Sequence, residues 1–294
     1  MVAKVFVLYT GGTFGGMQTD AGVAPARVDQ ILPLLPAVQA TVHVEGFGRI
    51  IDSSSIQPSD WVEMAQIIGA RYDDYDGFVI IHGTDSMAYT SSALSQLIQG
   101  LQKPVVLTGS QIPLSFADND AVQNYQDAVA FATSGKAGVW VVFGGAEVPG
   151  AQAVKVSCEQ LRAFDSPKGK QEPEPDQRPF QVQSNIESDV RLLFCHPGLS
   201  ASQLAAEILR PCKGLVIASY GVGNLPNDPC VEAALLQAIQ EQGTRIIQVT
   251  QCAHGSVDAG FYAAGGAMVR AGVEAGGRLT VEAAVTKLMI ELGR

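Results

Sequence analysis

Apolar residues fall into short unbroken runs that alternate with longer stretches of helical spacing. "KVFVLYTGG", "DGFVIIHGTD", "KPVVLTGS" and "AGVWVVFGG" are each a β-branched or aliphatic run ending in a glycine-containing turn. Such runs, apolar at consecutive positions, predict strands buried on both faces. Between them "PSDWVEMAQIIGARY", "YTSSALSQLIQGL" and "DAVQNYQDAVAFAT" place apolar residues three and four apart, which predicts helices. Ser59 or Asp60 in "PSDW" can cap the N–H groups that a first helical turn leaves over. Repeated strand–turn–helix units make a parallel sheet covered on both sides the expected architecture.

The pattern lapses near residues 165–190, where "DSPKGKQEPEPDQRPFQVQSNIES" is rich in Pro, Glu and Gln and has no periodic core face. It reads as a surface loop or linker. Strand-like runs resume in "DVRLLFCHPG", "KGLVIASYGVGN" and "TRIIQVTQC", with "SASQLAAEIL" and "CVEAALLQAIQEQG" as helices between them. The expected fold class is α/β in two domains. A larger N-terminal parallel-sheet domain spans 1–170, a linker spans 171–188, and a smaller C-terminal α/β domain spans 189–294.

Composition narrows the partners. The 294 residues are 47% hydrophobic and 16% charged, with a net charge of −10 and no block of Lys or Arg. Nucleic acid and anionic membranes are therefore poor partners. The five cysteines are scattered without a CxxC, as expected of reduced core thiols in a cytoplasmic protein. The four histidines show no HExxH or other metal spacing, so no metal is expected. The chain shows neither a signal-peptide cleavage pattern nor an apolar stretch long enough to span a membrane.

In open α/β sheets ligands gather at the carboxyl ends of strands, which directs attention to Thr10–Gly16, His82–Ala88, Thr108–Pro113 and Tyr220–Asn224. The first of these, "TGGTFGG", has no Lys-Ser/Thr for a P-loop and no GxGxxG for a dinucleotide, and no GxSxG occurs. Glycines alone can serve a tight turn. Glycines around the Thr13 hydroxyl also expose backbone N–H donors, which suits a nucleophile beside an oxyanion site. A threonine hydroxyl needs a proton acceptor, and no histidine stands in a Ser–His–Asp arrangement. "HGTDSMAYT" offers Thr84 and Asp85, although Asp85 equally suits a helix N-cap, and His82 reads as the end of a buried strand. Lys155 in "AQAVKVSC" has small and apolar neighbours, unlike the solvated "KGK" at 168–170. A partly buried lysine beside a carboxylate can relay protons, or it can be structural.

Together "YTGGTFGG", "GFVIIHGTDSMAYT", "KPVVLTGSQIP", "SYGVGN" and "VTQCAHG" resemble the type I (cytosolic) bacterial L-asparaginases of the asparaginase/glutaminase family, in the same order from about residue 3 to 292. The resemblance implies that Thr13 is the nucleophile and that Thr84, Asp85 and Lys155 complete the catalytic group. It implies substrate contacts from Gly12, Gly83, the Asp52–Ser53–Ser54 segment, Asp85 and, from the second domain, Asn224. No cofactor is implied. Many relatives carry a tyrosine on the loop after TGGT, and here Val23 stands in its place. Tyr262 in "AGFYAAGGAM" is the candidate to supply that hydroxyl.

The expected reaction is hydrolysis of L-asparagine to L-aspartate and ammonia. A glutamine-preferring amidohydrolase and a non-catalytic amino-acid sensor are the alternatives. A homodimer or homotetramer with a small-molecule substrate is expected, without nucleic-acid or membrane partners.

Overall fold

The computed structural model of the chain describes residues 2–20, 22–174, 176–257 and 266–294. The chain forms two compact units, one of Met1–Ser166 with Lys170–Ser184, the other of Pro167–Gly169 with Asn185–Arg294.

The first unit opens with β1 (Lys4–Gly11), a hairpin of β2 (Gly16–Thr19) and β3 (Gly22–Pro25), the one-turn helix α1 (Val28–Ile31) and the long strand β4 (Thr41–Ile51). There follow α2 (Pro58–Ala70), β5 (Gly77–Ile81), α3 (Met87–Leu97), β6 (Ile98–Gln99), β7 (Pro104–Thr108), α4 (Ala121–Ala132), β8 (Gly138–Phe143) and β9 (Ala146–Pro149). The short strands β10 (Val154–Lys155), β11 (Phe164–Asp165) and β12 (Gln181–Val182) complete it. The main sheet has the order β4-β1-β5-β7-β8-β9. All its neighbours are parallel except β9, which folds back antiparallel on β8.

The four apolar runs are β1, β5, β7 and β8. Every residue of β5 and β7 is buried, as two-sided cover requires. Val7, Val79, Val106 and Trp140 pack with Tyr125 and Val129 of α4 in one core cluster. Phe6, Leu8, Phe78, Ile80 and Leu107, alternating with these along the strands, are equally buried. At the start of α2, Asp60 rather than Ser59 supplies the cap, its Oδ2 accepting the Gln57 N–H at 2.7 Å.

The order of the strands decides where a site can form. From β1 the chain crosses to β4 on one side, then returns to place β5 on the other. The β1/β5 junction is therefore a topological switch point, where the crevice of an open α/β sheet lies. Register keeps the strand ends level there, with Tyr9 opposite Ile81 and Ile81 opposite Thr108.

The Pro- and Glu-rich stretch read as a linker packs on the first unit over residues 170–184. β12 pairs with β6, the Phe180 ring stacks on Tyr72 with centroids 3.7 Å apart, and the Gly100 N–H donates to Asp176 at 2.8 Å. Isolated contacts of this kind leave no periodic signature in a sequence.

The second unit carries β13 (Val190–Phe194), α5 (Ala201–Ile208), β14 (Gly214–Ser219), α6 (Pro229–Gln240), β15 (Arg245–Thr250), α7 (Gly266–Ala271), β16 (Glu274–Ala275) and α8 (Val281–Leu292). Its parallel sheet runs β13-β14-β15-β16. Lys168 is not solvated as its sequence neighbours imply: it is 5% exposed, and its Nζ donates to the carbonyls of Thr250 and Cys252. Burial pushes its pKa down, and Cys252 and Glu282 partly offset that. Only Cys195 and Cys212 are core thiols; Cys158, Cys230 and Cys252 are exposed. Among the described residues no helix is long and apolar enough to cross a membrane.

Candidate active site

Beyond β1 the chain turns sharply. Gly11 and Gly12 have φ of +126° and +77°, and Thr13–Gly15 then forms a single 3₁₀ turn. A Cβ on Gly12 would stand 2.4 Å from the Gly83 Cα, and one on Gly83 would stand 2.5 Å from the Ser53 Oγ. The exits of β1 and β5 are thus pressed together backbone to backbone, with the Ser53 side chain of the β4 exit against Gly83, at a spacing only glycine allows. Thr13 itself is exposed, and among the described residues its hydroxyl makes no hydrogen bond.

The β4 exit carries a second 3₁₀ turn, Ser53–Ser55, in which Asp52 accepts the Ser54 N–H at 3.0 Å. Ser53 is buried; its Oγ accepts the Asp85 N–H at 3.2 Å and its carbonyl accepts the Ser86 hydroxyl at 2.6 Å. Ser54 and Asp52 stay exposed.

Lys155 reaches this cluster from β10, whose sheet partner is β11 with Lys155 opposite Phe164. Its Nζ donates to Thr84 Oγ1 at 2.8 Å and to Asp85 Oδ1 at 2.7 Å. The Lys155 side chain is 20% exposed and that of Asp85 62%. Asp85 is therefore not the helix cap; α3 begins after Ser86, with no side-chain cap bond. The second oxygen of Asp85 makes no bond within the protein among the described residues.

Beneath the cluster lies a buried chain of donors. The Trp61 indole N–H, which can only donate, gives its hydrogen to Thr90 Oγ1 at 3.0 Å. Thr90 then donates to His82 Nε2 at 3.1 Å, which leaves Nδ1 as the protonated nitrogen donating to the Gly83 carbonyl at 2.6 Å. Burial pushes the His82 pKa down to about 4, against small opposing effects of the Gly83 carbonyl and the Asp60 charge. A histidine whose folded pKa is depressed contributes stability that is complete above its unfolded value and lost as pH falls toward the folded one. Stability is thus expected to drop by up to about 3 kcal/mol between pH 6.5 and 4. Urea unfolding at a series of pH values checks this; a His82→Asn variant with the same slope over that window would contradict it.

Thr13, Gly12, Gly83, Thr84, Asp85, Lys155 and the Asp52–Ser54 segment all belong to the first unit. Asn224 belongs to the second, at the exit of β14, where it closes a small loop by an antiparallel bridge to Tyr220. The positive φ values in that loop fall on Gly221 and Gly223, not on Asn224. Val23 pairs with Gln18 across the hairpin, 52% exposed and without a hydroxyl to offer. Tyr262 lies outside the described residues. Among the described residues no cluster of His, Cys, Asp or Glu could hold a metal ion. Sequence reasoning missed the Trp61–Thr90–His82 chain, because its members share neither an element nor a spacing that signals contact.

Comparison with known proteins assigns the family. The N-terminal asparaginase domain matches residues 4–185 and the glutaminase/asparaginase C-terminal domain matches residues 189–294. The chain belongs to the asparaginase family. Within it, L-asparaginase 1 of Escherichia coli (strain K12) is 36% identical over 97% of this chain and 90% of its own length. The thermostable L-asparaginase from Thermococcus kodakarensis superposes with a TM-score of 0.91 at 33% identity, covering 99% of this chain and 93% of the other. L-asparaginase I from Vibrio cholerae O1 biovar eltor str. N16961 gives 0.87 at 32% identity, covering 100% and 94%. These L-asparaginase relatives make the chain an amidohydrolase, and the two solved structures share its α/β fold.

Proposed function

We propose that this chain hydrolyses L-asparagine to L-aspartate and ammonia through an ester on Thr13. The observation that carries the reading is the Lys155 ammonium bound to both Thr84 and Asp85, beside a glycine-framed threonine whose own hydroxyl makes no hydrogen bond among the described residues. In the first half-reaction the Thr13 oxygen attacks the side-chain amide carbon. The new C–O bond replaces the C–N bond, the hydroxyl proton ends on the departing nitrogen, and ammonia leaves. In the second, water attacks the ester carbon; it gives one proton to the Thr13 oxygen by way of Thr84 and Lys155, and aspartate is released. Backbone N–H groups of the glycine-rich turns hold the oxyanion of both steps, a contribution of about 3 kcal/mol per donor in comparable sites.

Binding follows from the same residues. The free oxygen of Asp85 takes the substrate ammonium, and the Ser53 hydroxyl, accepting from the Asp85 N–H, keeps its hydrogen for the α-carboxylate together with Ser54. Gly12, Gly83 and Asp52 shape the pocket, and Asn224 is a further substrate-binding candidate. We place the protein in the cytoplasm as a homodimer or homotetramer. L-Glutamine is the competing substrate, since one methylene changes binding by only about 1–3 kcal/mol.

The test is ammonia and amino-acid release from L-asparagine and L-glutamine at micromolar and millimolar substrate. Equal ammonia and aspartate from L-asparagine is the expected result. Faster release from L-glutamine would change the substrate and keep the chemistry. No release by folded protein would overturn the reading and favour an amino-acid sensor, an outcome toward which the lack of a hydroxyl at Val23 points.

A further inference from the structure

Among the described residues nothing but backbone fixes the Thr13 hydroxyl, since it makes no hydrogen bond with any of them. A β-branched side chain has few χ1 choices, so the direction of its oxygen is set by the orientation of the turn that carries it. What holds that turn therefore sets the line of attack. Its near end is the last residue of β1; its far side is held by the loop that leaves β7.

That loop, residues 109–115, is bonded to the nucleophile turn at two points. The Leu114 N–H donates to the Phe14 carbonyl at 3.0 Å, and the Ser115 hydroxyl donates to the Gly16 carbonyl at 2.7 Å. The loop is in turn gripped by two side chains at the start of α4. Asp120 is buried, and no cation pairs with it among the described residues. Its Oδ1 accepts the Ile112 N–H at 2.8 Å, both its oxygens share the Gln111 N–H at 3.1 and 3.0 Å, and Oδ2 accepts from Asn124 Nδ2 at 3.0 Å. Asn124, one turn on and equally buried, donates from the same nitrogen to the Gly109 carbonyl at 3.0 Å and accepts the Gly144 N–H at 2.9 Å. A carboxylate that accepts two backbone N–H groups of one loop, with the Asn124 amide as its third donor, forms charge-assisted bonds that hold that loop in place.

Resting on the assignment of Thr13 as nucleophile, we propose that Asp120 is a positioning residue for it, acting through residues 109–115 on the carbonyls of Phe14 and Gly16. Asp120 never touches substrate. Its effect falls on the attack geometry rather than on binding, because the substrate-holding candidates Asp85 and Ser53 sit on other strand exits.

The test compares kcat and KM for L-asparagine in wild type, Asp120→Asn, Ser115→Ala and the double variant, with thermal unfolding of each. Asparagine turns an amide N–H toward the loop donors or leaves them with a weaker acceptor. Misplacing a reacting atom by about 1 Å costs about a hundredfold, so partial release of the loop is expected to lower kcat about tenfold in Asp120→Asn and about threefold in Ser115→Ala. KM is expected to stay within about threefold of wild type, and the double variant to lose less than the product of the single losses, because both act through one loop. Wild-type kcat in a folded Asp120→Asn, or multiplicative losses, would overturn the proposal. Should Asp120→Asn fail to fold, Ser115→Ala decides: unchanged kcat there sinks the idea as well. A wild type that releases no ammonia would instead overturn the amidohydrolase reading, and with it this one.

Discussion

Thr13→Ala is expected to lower ammonia release from L-asparagine by at least about 10³-fold while leaving the protein as stable as wild type. The two halves of that expectation have separate causes. In the proposed mechanism the hydroxyl is the atom that forms the ester, so its removal takes away the covalent route and leaves only the polarising turns. The same hydroxyl makes no hydrogen bond among the described residues and sits on an exposed side chain, so folding does not depend on it. Thr13→Ser, which keeps the oxygen, is expected to retain part of the rate. Coupled measurement of ammonia and thermal unfolding checks all three proteins; a Thr13→Ala rate within tenfold of wild type would remove Thr13 from the chemistry.

Lys155→Met is expected to show the same dissociation between activity and stability. The substitution keeps an unbranched apolar stem and removes the ammonium, so Thr84 loses its donor and Asp85 its counter-charge. Proton-transfer groups contribute about 10²–10⁴-fold, and a loss of kcat in that range is expected. Asp85 is well exposed, so water takes over its solvation and the stability loss stays below about 1 kcal/mol. Lys155→Arg is not expected to rescue, because a planar fork cannot place one nitrogen against both partners and cannot give up its proton near neutral pH. Urea unfolding beside steady-state kinetics separates the two effects, and a variant that loses stability and rate in proportion would make Lys155 a structural group.

The parts of the fold legible in the sequence were those with a two-sided burial signal. β1, β5, β7 and β8 could be read because an unbroken apolar run fills the buried middle of each. The edges could not. β4 alternates in "TVHVE" with only one face covered, and β9 is short and folds back antiparallel, so neither stands out from loop sequence. At the site, "TGGT" stood out because glycines bracket a hydroxyl and "HGTD" because a hydroxyl and a carboxylate follow a strand end, and the two turns touch at the backbone. The contact of Lys155 with Thr84 crosses 71 residues and rests on a two-residue strand, which no local pattern encodes. Lys168 misled for the opposite reason. Its neighbours are turn-forming and charged, yet the carbonyls that bury it come from residues more than eighty positions away. Asp120 and Asn124 look like an ordinary helix start until the donors they satisfy are traced to another loop.

The Trp61–Thr90–His82 chain also has an optical consequence. The protein has two tryptophans, and both are buried: Trp140 inside the core below α4, and Trp61 one hydroxyl away from the histidine that grips the Gly83 carbonyl. With Trp140 replaced by phenylalanine, the remaining indole would emit from beneath the turn that carries Thr84. Its emission maximum would then follow the making and breaking of that turn during unfolding, acid titration or substrate addition, with no label attached. The site has its own lamp, buried beneath it.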